Sequence, residues 1–252
     1  MIKNSLFATC AGLSALSFVL LLPGFSQASY VVGFTDTVDH WDGYGNETGQ
    51  DNDDVIGVPD ITGGSVTMDD NGFVDQISFA HGRSDSTSPD MGDLFLDIGS
   101  DGYWDYVVDV DTQRGWESAK TITGIIYSFT ATEFAFTNAG NYVLSDAYWD
   151  SGHRTGHPVG VNIAPGFGAD TGLTAAVTGP FVGSNPVVFN FSDDLIQIGG
   201  GDLTIGFGAS CANDVILATI TAPNPVPEPA TMLLFGAGIV GLAGSRLRRK
   251  KN

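Results

Sequence analysis

Tyr103-Trp104-Asp105-Tyr106-Val107-Val108-Asp109-Val110 is the stretch on which the fold turns. Read with a period of two, it places Trp104, Tyr106, Val108 and Val110 on one face. Tyr103, Asp105, Val107 and Asp109 fall on the other. Apolar in, polar out is the signature of a half-buried antiparallel strand, and helical periodicity is nearly absent from the rest of the chain.

Working outward, Asp202-Leu203-Thr204-Ile205-Gly206-Phe207 repeats the pattern, with Leu203, Ile205 and Phe207 inward and Asp202 and Thr204 outward. Further strands are expected at residues 30–35, 73–80, 93–98, 121–137, 142–149, 173–178, 187–191 and 215–220. Clusters of Gly, Asp, Asn and Pro separate them. The expected fold is therefore all-β: an antiparallel β-sandwich, a jelly roll being one form of it. Segments 40–62, 80–92 and 151–170 read as long surface loops. Asn71-Gly72-Phe73-Val74-Asp75 parallels Asp101-Gly102-Tyr103-Trp104-Asp105, each a turn that launches a strand. A shared hairpin solution explains this as well as duplication does.

The chain has 252 residues and a formal net charge of −19. The charge is concentrated between residues 29 and 222, where 28 acidic residues face only Arg83, Arg114, Lys120 and Arg154, a net of −24. Such a surface repels nucleic acid and anionic membrane, and neither is expected as a partner. Only Glu47, Glu117 and Glu133 of those acids are glutamates, so the acidity is aspartate on turns rather than glutamate on helix faces. Cys211 is the single cysteine of this region, which excludes an internal disulfide there. It reads as a small buried apolar residue.

Asp97-Ile98-Gly99-Ser100-Asp101-Gly102-Tyr103-Trp104-Asp105 carries the candidate metal site. Carboxylates at positions 1, 5 and 9 with glycine at 6 match part of a calcium loop, so Asp97, Asp101 and Asp105 with the Tyr103 carbonyl are candidate calcium ligands. Gly99 at position 3 and Val108 at position 12 depart from that pattern, and a plain hairpin turn at Ser100-Asp101-Gly102 is the competing reading. Asp51-Asn52-Asp53-Asp54 and Asp69-Asp70-Asn71 are further oxygen clusters that read first as solvated turns. His153 and His157 lie in a glycine-rich loop that fixes no common face, and His40 and His81 are isolated. Trp41, Tyr44 and Trp149, each beside acids, are candidate sugar-stacking residues, with core and rim packing as the alternative. No nucleophile elbow, phosphate loop or cysteine–histidine arrangement is present, and no catalytic residue is assigned.

Both ends of the chain read as address labels. Lys3, the apolar run 13–22 and Ser26-Gln27-Ala28 form a Sec signal peptide over residues 1–28, with Ser29 first after cleavage. Cys10 is not a lipidation site, because Phe7-Ala8-Thr9 is a weak lipobox and apolar residues continue past it. At the other end, after a short proline-containing linker at 223–225, Pro225, Pro227 and Pro229 fix φ and favour an extended spacer. The apolar stretch 232–244 follows as a short hydrophobic helix, below the roughly 20 residues that cross a bilayer core. Arg246, Arg248, Arg249, Lys250 and Lys251 form a basic stop that stays cytoplasmic. An ordinary C-terminal membrane anchor has the same physical parts.

Pro227-Glu228-Pro229, the apolar run and the basic end over residues 226–251 resemble the PEP-CTERM sorting tail of Gram-negative bacteria. The resemblance implies export through Sec, transient retention at the inner membrane, and recognition by the membrane-embedded protease exosortase. It further implies a destination at the cell surface or extracellular matrix of bacteria that make exopolysaccharide. Cys211-Ala212-Asn213-Asp214-Val215-Ile216 also looks like sequence met in such proteins. The expected role is structural or glycan-binding in exopolysaccharide and biofilm. A secreted polysaccharide-active hydrolase is the alternative, and a self-assembling adhesin-like module the third reading.

Overall fold

The computed structural model describes residues 29–37, 60–82, 91–110, 122–144, 158–179, 185–192, 194–209, 214–224, 235–236 and 238–240. The expected signal peptide at 1–28 lies outside these residues.

The architecture is all-β and antiparallel. Among the described residues twelve strands follow in chain order: β1 Tyr30–Thr35, β2 Ile61–Met68, β3 Val74–His81, β4 Leu94–Ile98, β5 Tyr106–Asp109, β6 Ile122–Ser128, β7 Tyr142–Leu144, β8 Pro158–Val161, β9 Ala169–Thr178, β10 Val187–Phe191, β11 Asp202–Gly208 and β12 Val215–Thr221. Ten of them form one sheet in the order β1-β2-β3-β10-β9-β6-β5-β4-β11-β12, while β7 and β8 pair separately. The large sheet curls until its two ends touch, β1 and β2 lying against β12, and is nearly barrel-like. The rings show the curl directly. Phe79 on β3 stacks on Phe207 of β11 at 4.3 Å, although five strands separate β3 from β11 in the sheet.

Two cores result. The interior one is aliphatic and phenylalanine-rich, with Ile77, Phe79, Leu94, Leu96, Val177, Phe189, Leu203, Ile205 and Phe207 all at or near zero exposure. The second lies on the outer face of the sheet, where Phe95, Val107 and Val215 meet Trp104, Phe129, Phe134, Tyr142 and Val161. Segments 129–144 and 158–167 cover it. Strand β4 thus has both faces buried, which is why Leu94-Phe95-Leu96 is an unbroken apolar run instead of an alternation.

Several expectations are corrected in detail. The regular strand in 103–110 is only Tyr106–Asp109, and Trp104 does not share the face of Tyr106, Val108 and Val110. Trp104 packs in the outer core with Val107, while Val108 and Val110 belong to the interior. The cause is a bend at Asp105. Trp104 N–H donates to the Phe134 carbonyl, whereas Asp105 N–H donates to that of Leu96, so the two residues pair with different neighbours. Strand 121–137 stops at Ser128, where Glu133 closes a turn by accepting from Thr130 N–H at 3.0 Å.

Strand β8 falls in the segment 151–170 read as a loop, and β2 starts in the one at 40–62 and runs on through residues given no element. In β2 the pair Gly63-Gly64 signals a loop by composition but here permits close approach. A Cβ on Gly64 would stand 2.0 Å from the Ser78 carbonyl oxygen, and one on Gly63 2.4 Å from that of Phe34. The register of β2 against β3 shifts at the same place, between Ile61 and Gly63.

Candidate functional site

The β4–β5 connection brings Asp97, Asp101 and Asp105 into one turn. Gly99 and Gly102 take φ of 96° and 91°, and Ser100, a non-glycine, sits at 54°. Asp97 is fully buried and accepts from the backbone N–H of Asp101 at 3.2 Å and of Gly102 at 2.9 Å. Asp101 accepts from Tyr103 N–H at 3.1 Å, and Asp105 from Ile98 N–H at 2.6 Å. Each carboxylate is therefore already engaged by main chain. Among the described residues no group of three or more His, Cys, Asp or Glu side chains is placed to hold a metal.

This is the geometry of a carboxylate-capped hairpin, the competing reading of the same nine residues. Burial pushes the Asp97 carboxyl above its usual range, partly offset by the Gly102 and Asp101 amides. Asp105 is also raised, by burial first and then by the charges of Asp97 and Asp101 against the lowering amide of Ile98. Tyr103 forms an isolated antiparallel bridge with Ala135, and Phe73 forms one with Gln197. The two similar pentapeptides thus share a positive-φ glycine followed by an aromatic in a single bridge.

Two other buried carboxylates matter more to the fold, and sequence reading assigned neither. Asp93 immediately precedes β4; its Oδ1 accepts from Val110 N–H at 3.0 Å and its Oδ2 from Val161 N–H at 2.7 Å. It thereby ties β8, and the cover over the outer core, to the main sheet. Asp214 immediately precedes β12 and accepts from Ile61 N–H at the start of β2. An aspartate directly before an apolar strand is the sequence signal common to both.

The described part of the sheet domain closes at its C-terminal end with β12 and the residues just after it. Strand β12 ends at Thr221, Ala222 N–H donates to the Gly201 carbonyl at 2.9 Å, and Asn224 packs on Gly200. Beyond it, Phe235, Gly236 and 238–240 are helical, with Phe235, Ile239 and Val240 exposed. Among the described residues no helix is long and apolar enough to cross a membrane. Pro227, Glu228 and Pro229, the basic residues Arg246, Arg248, Arg249, Lys250 and Lys251, and the stacking candidates Trp41, Tyr44 and Trp149 lie outside the described residues. So do His40, His153, His157, Cys211 and the cluster 51–54.

Neither the curated proteins nor the solved structures include a match to this chain. The family model described as the PEP-CTERM protein-sorting motif matches residues 225–250. That range covers the Pro-Glu-Pro triplet, the apolar run and most of the basic end, and a tail of this kind belongs to exported proteins processed by exosortase. From residue 225 onward, therefore, this chain carries a PEP-CTERM protein-sorting motif.

Proposed function

We propose that the β domain is a cargo, exported and then freed at the cell surface or into the extracellular matrix, where it has a structural or glycan-binding role in exopolysaccharide. In this reading the signal peptide leads the chain through Sec. The tail then holds it at the inner membrane until exosortase acts.

The observation that carries the reading is where the fold ends. Among the described residues, the last main-chain tie of the domain is at Ala222 and the last packed residue is Asn224, while the sorting motif begins at 225. Among the described residues, every strand, every core residue and every buried carboxylate lies before residue 225. The charge of residues 29–222 fits the same destination. Its net of −24 rises from the whole-chain −19 because the signal peptide and tail together carry six bases and one acid. A surface of that kind stays soluble and away from anionic lipid headgroups once the anchor is gone.

Intact-mass measurement of the protein recovered from the medium of an exosortase-bearing host is the test. The expected species begins at Ser29 and lacks the basic end. Recovery of exported protein that still carries residues 225–252 would overturn the reading.

A further inference from the structure

On this strongly acidic chain, two rows of outward-facing strand residues carry no charged side chain among the described residues. Cross-strand pairing sets Val31, Thr67, Gln76, Asn190, Ala176 and Thr123 in one row over β1, β2, β3, β10, β9 and β6. The next row is Gly33, Ser65, Ser78, Val188 and Thr178. All face away from the interior, since their neighbours Val66, Ile77, Phe189 and Val177 fill the core. Strands lie about 4.8 Å apart, so the platform runs about 24 Å along the convex curve of six strands. Among the described residues, charge returns at its borders, with Asp75 near Asp194 at one end, Asp170 opposite Tyr127 at the other, and Asp109 opposite Ile125 on β5.

We propose that this face is the docking surface for a neutral polysaccharide chain, which deepens the glycan-binding reading above and rests on it. The chemistry favours that occupant over others. Serine and threonine hydroxyls and side-chain amides both donate and accept, as a hydroxyl-rich polymer requires. The central amides are already ordered: Gln76 Nε2 donates to Asn190 Oδ1 at 2.8 Å, and Asn190 Nδ2 to the Ala176 carbonyl at 3.3 Å. Part of the rotamer entropy that binding would cost is therefore already spent. Val31 and Val188 offer apolar ground between the polar groups for sugar C–H faces. An anionic polymer meets the field of the whole domain, and a second copy of the chain brings the same negative charge to the interface. Neither penalty applies to an uncharged chain.

The test uses the full chain, with dextran and hydroxyethyl cellulose as neutral probes and alginate as the anionic one. Thr67→Asp and Asn190→Asp each place one charge on the platform. Asn138→Asp adds the same charge on an exposed turn of segment 129–144, outside the platform rows. The wild type and Asn138→Asp should retain a neutral polymer and ignore alginate, and the platform variants should bind at least tenfold more weakly with unchanged melting. If an aspartate variant fails to fold, Thr67→Val and Asn190→Ala carry the same expectation.

Platform variants that bind like the wild type remove the face but leave glycan binding by the domain standing. Binding of neither neutral polymer removes both. Alginate held as tightly as dextran, or wild-type self-association abolished by the platform variants, also overturns the assignment; the latter makes the face a contact between copies.

Discussion

The indole Nε1 of Trp104 donates to the phenol oxygen of Tyr142 at 2.6 Å, and that hydroxyl in turn donates to the Phe136 carbonyl at 3.0 Å. One side chain from the main sheet and one from its cover are joined in a relay inside an aromatic core. Trp104 also stacks on Phe136 at 3.9 Å, so the relay closes on the ring whose carbonyl it ends on. Replacing Tyr142 with Phe keeps the packing but removes the acceptor of the indole N–H bond and the donor to the Phe136 carbonyl. Tyr142→Phe should cost about 1–3 kcal/mol in urea unfolding, with the m value unchanged. A loss below about 0.5 kcal/mol would mean the relay contributes only packing.

Asp93 does for the main chain what Tyr142 does for the rings. Its two oxygens serve two buried amides from opposite sides, Val110 and Val161. Asp93→Ala leaves both donors without that acceptor, at about 1–3 kcal/mol each. The expected total is about 2–6 kcal/mol, with faster amide exchange concentrated in Pro158–Val161 and Tyr142–Leu144. Exchange rising evenly over the whole chain would show that Asp93 is not the tie between cover and sheet. Gly160→Ala should mimic it, because the added Cβ stands 2.8 Å from Asp93 Oδ2.

How much of this was legible depends on how local the cause is. Tyr30–Thr35 and Val187–Phe191 have the expected bounds, and Leu203, Ile205 and Phe207 point inward as read, because alternation reports a nearby core directly. The sorting segment was readable for the same reason: its three parts are contiguous in sequence and matched at 225–250. Thr204 was expected outward and is buried instead, bonded to Ser100 and Thr219, since Ser100 of the β4–β5 turn reaches over that side of the strand. Ile61–Met68 was lost to its glycines, whose role is set by distant carbonyls. The roles of Asp93 and Asp214 depend on which amides tertiary structure brings to them, 17 and 68 residues away for Asp93 and 153 for Asp214. No window along the chain contains that information.

Glu133 gives a pH test. Its Oε2 accepts from Thr130 N–H and Oγ1, and its Oε1 from Gly168 N–H at 2.9 Å. The Thr130 and Gly168 amides hold its carboxyl below the ordinary 4.5. A folded pKa below the unfolded one means the contribution is complete above 4.5 and is lost as pH falls through the lowered value. The stability gap between wild type and Glu133→Gln should therefore be constant at neutral pH and shrink in strong acid. Denaturant midpoints across that range measure it, and a gap that widens on acidification would reverse the assigned sign.

The aspartate turn after β4 separates a cation site from a capped hairpin. Asp101 is engaged only through Oδ1, by Tyr103 N–H, so Asp101→Asn keeps an acceptor there while removing one charge of the three. If main-chain amides are what these carboxylates serve, any shift in melting between excess calcium and chelator should be the same in wild type and Asp101→Asn. A calcium response that disappears specifically in the variant would establish Asp97, Asp101 and Asp105 as ligands.

The boundary at Asn224 makes the strongest demand on the cargo reading. A chain ended after Asn224 keeps the Ala222–Gly201 bond and the packing of Asn224 on Gly200, which takes φ of 83°. It should melt where the full chain melts. Ending the chain before β12 must instead collapse it: β12 supplies Ile216, Ala218 and Ile220 to the interior core and closes the sheet against β1. With several apolar side chains at about 1.5–3 kcal/mol each, that loss matches or exceeds the stability of an ordinary domain. Equal melting for the full and Asn224-ended chains, with unfolding only in the shorter one, fits a tail that sorts and a domain that persists without it. A large drop on removing residues 225–252 alone would mean the tail belongs to the fold, and that cleavage would unfold the product it releases.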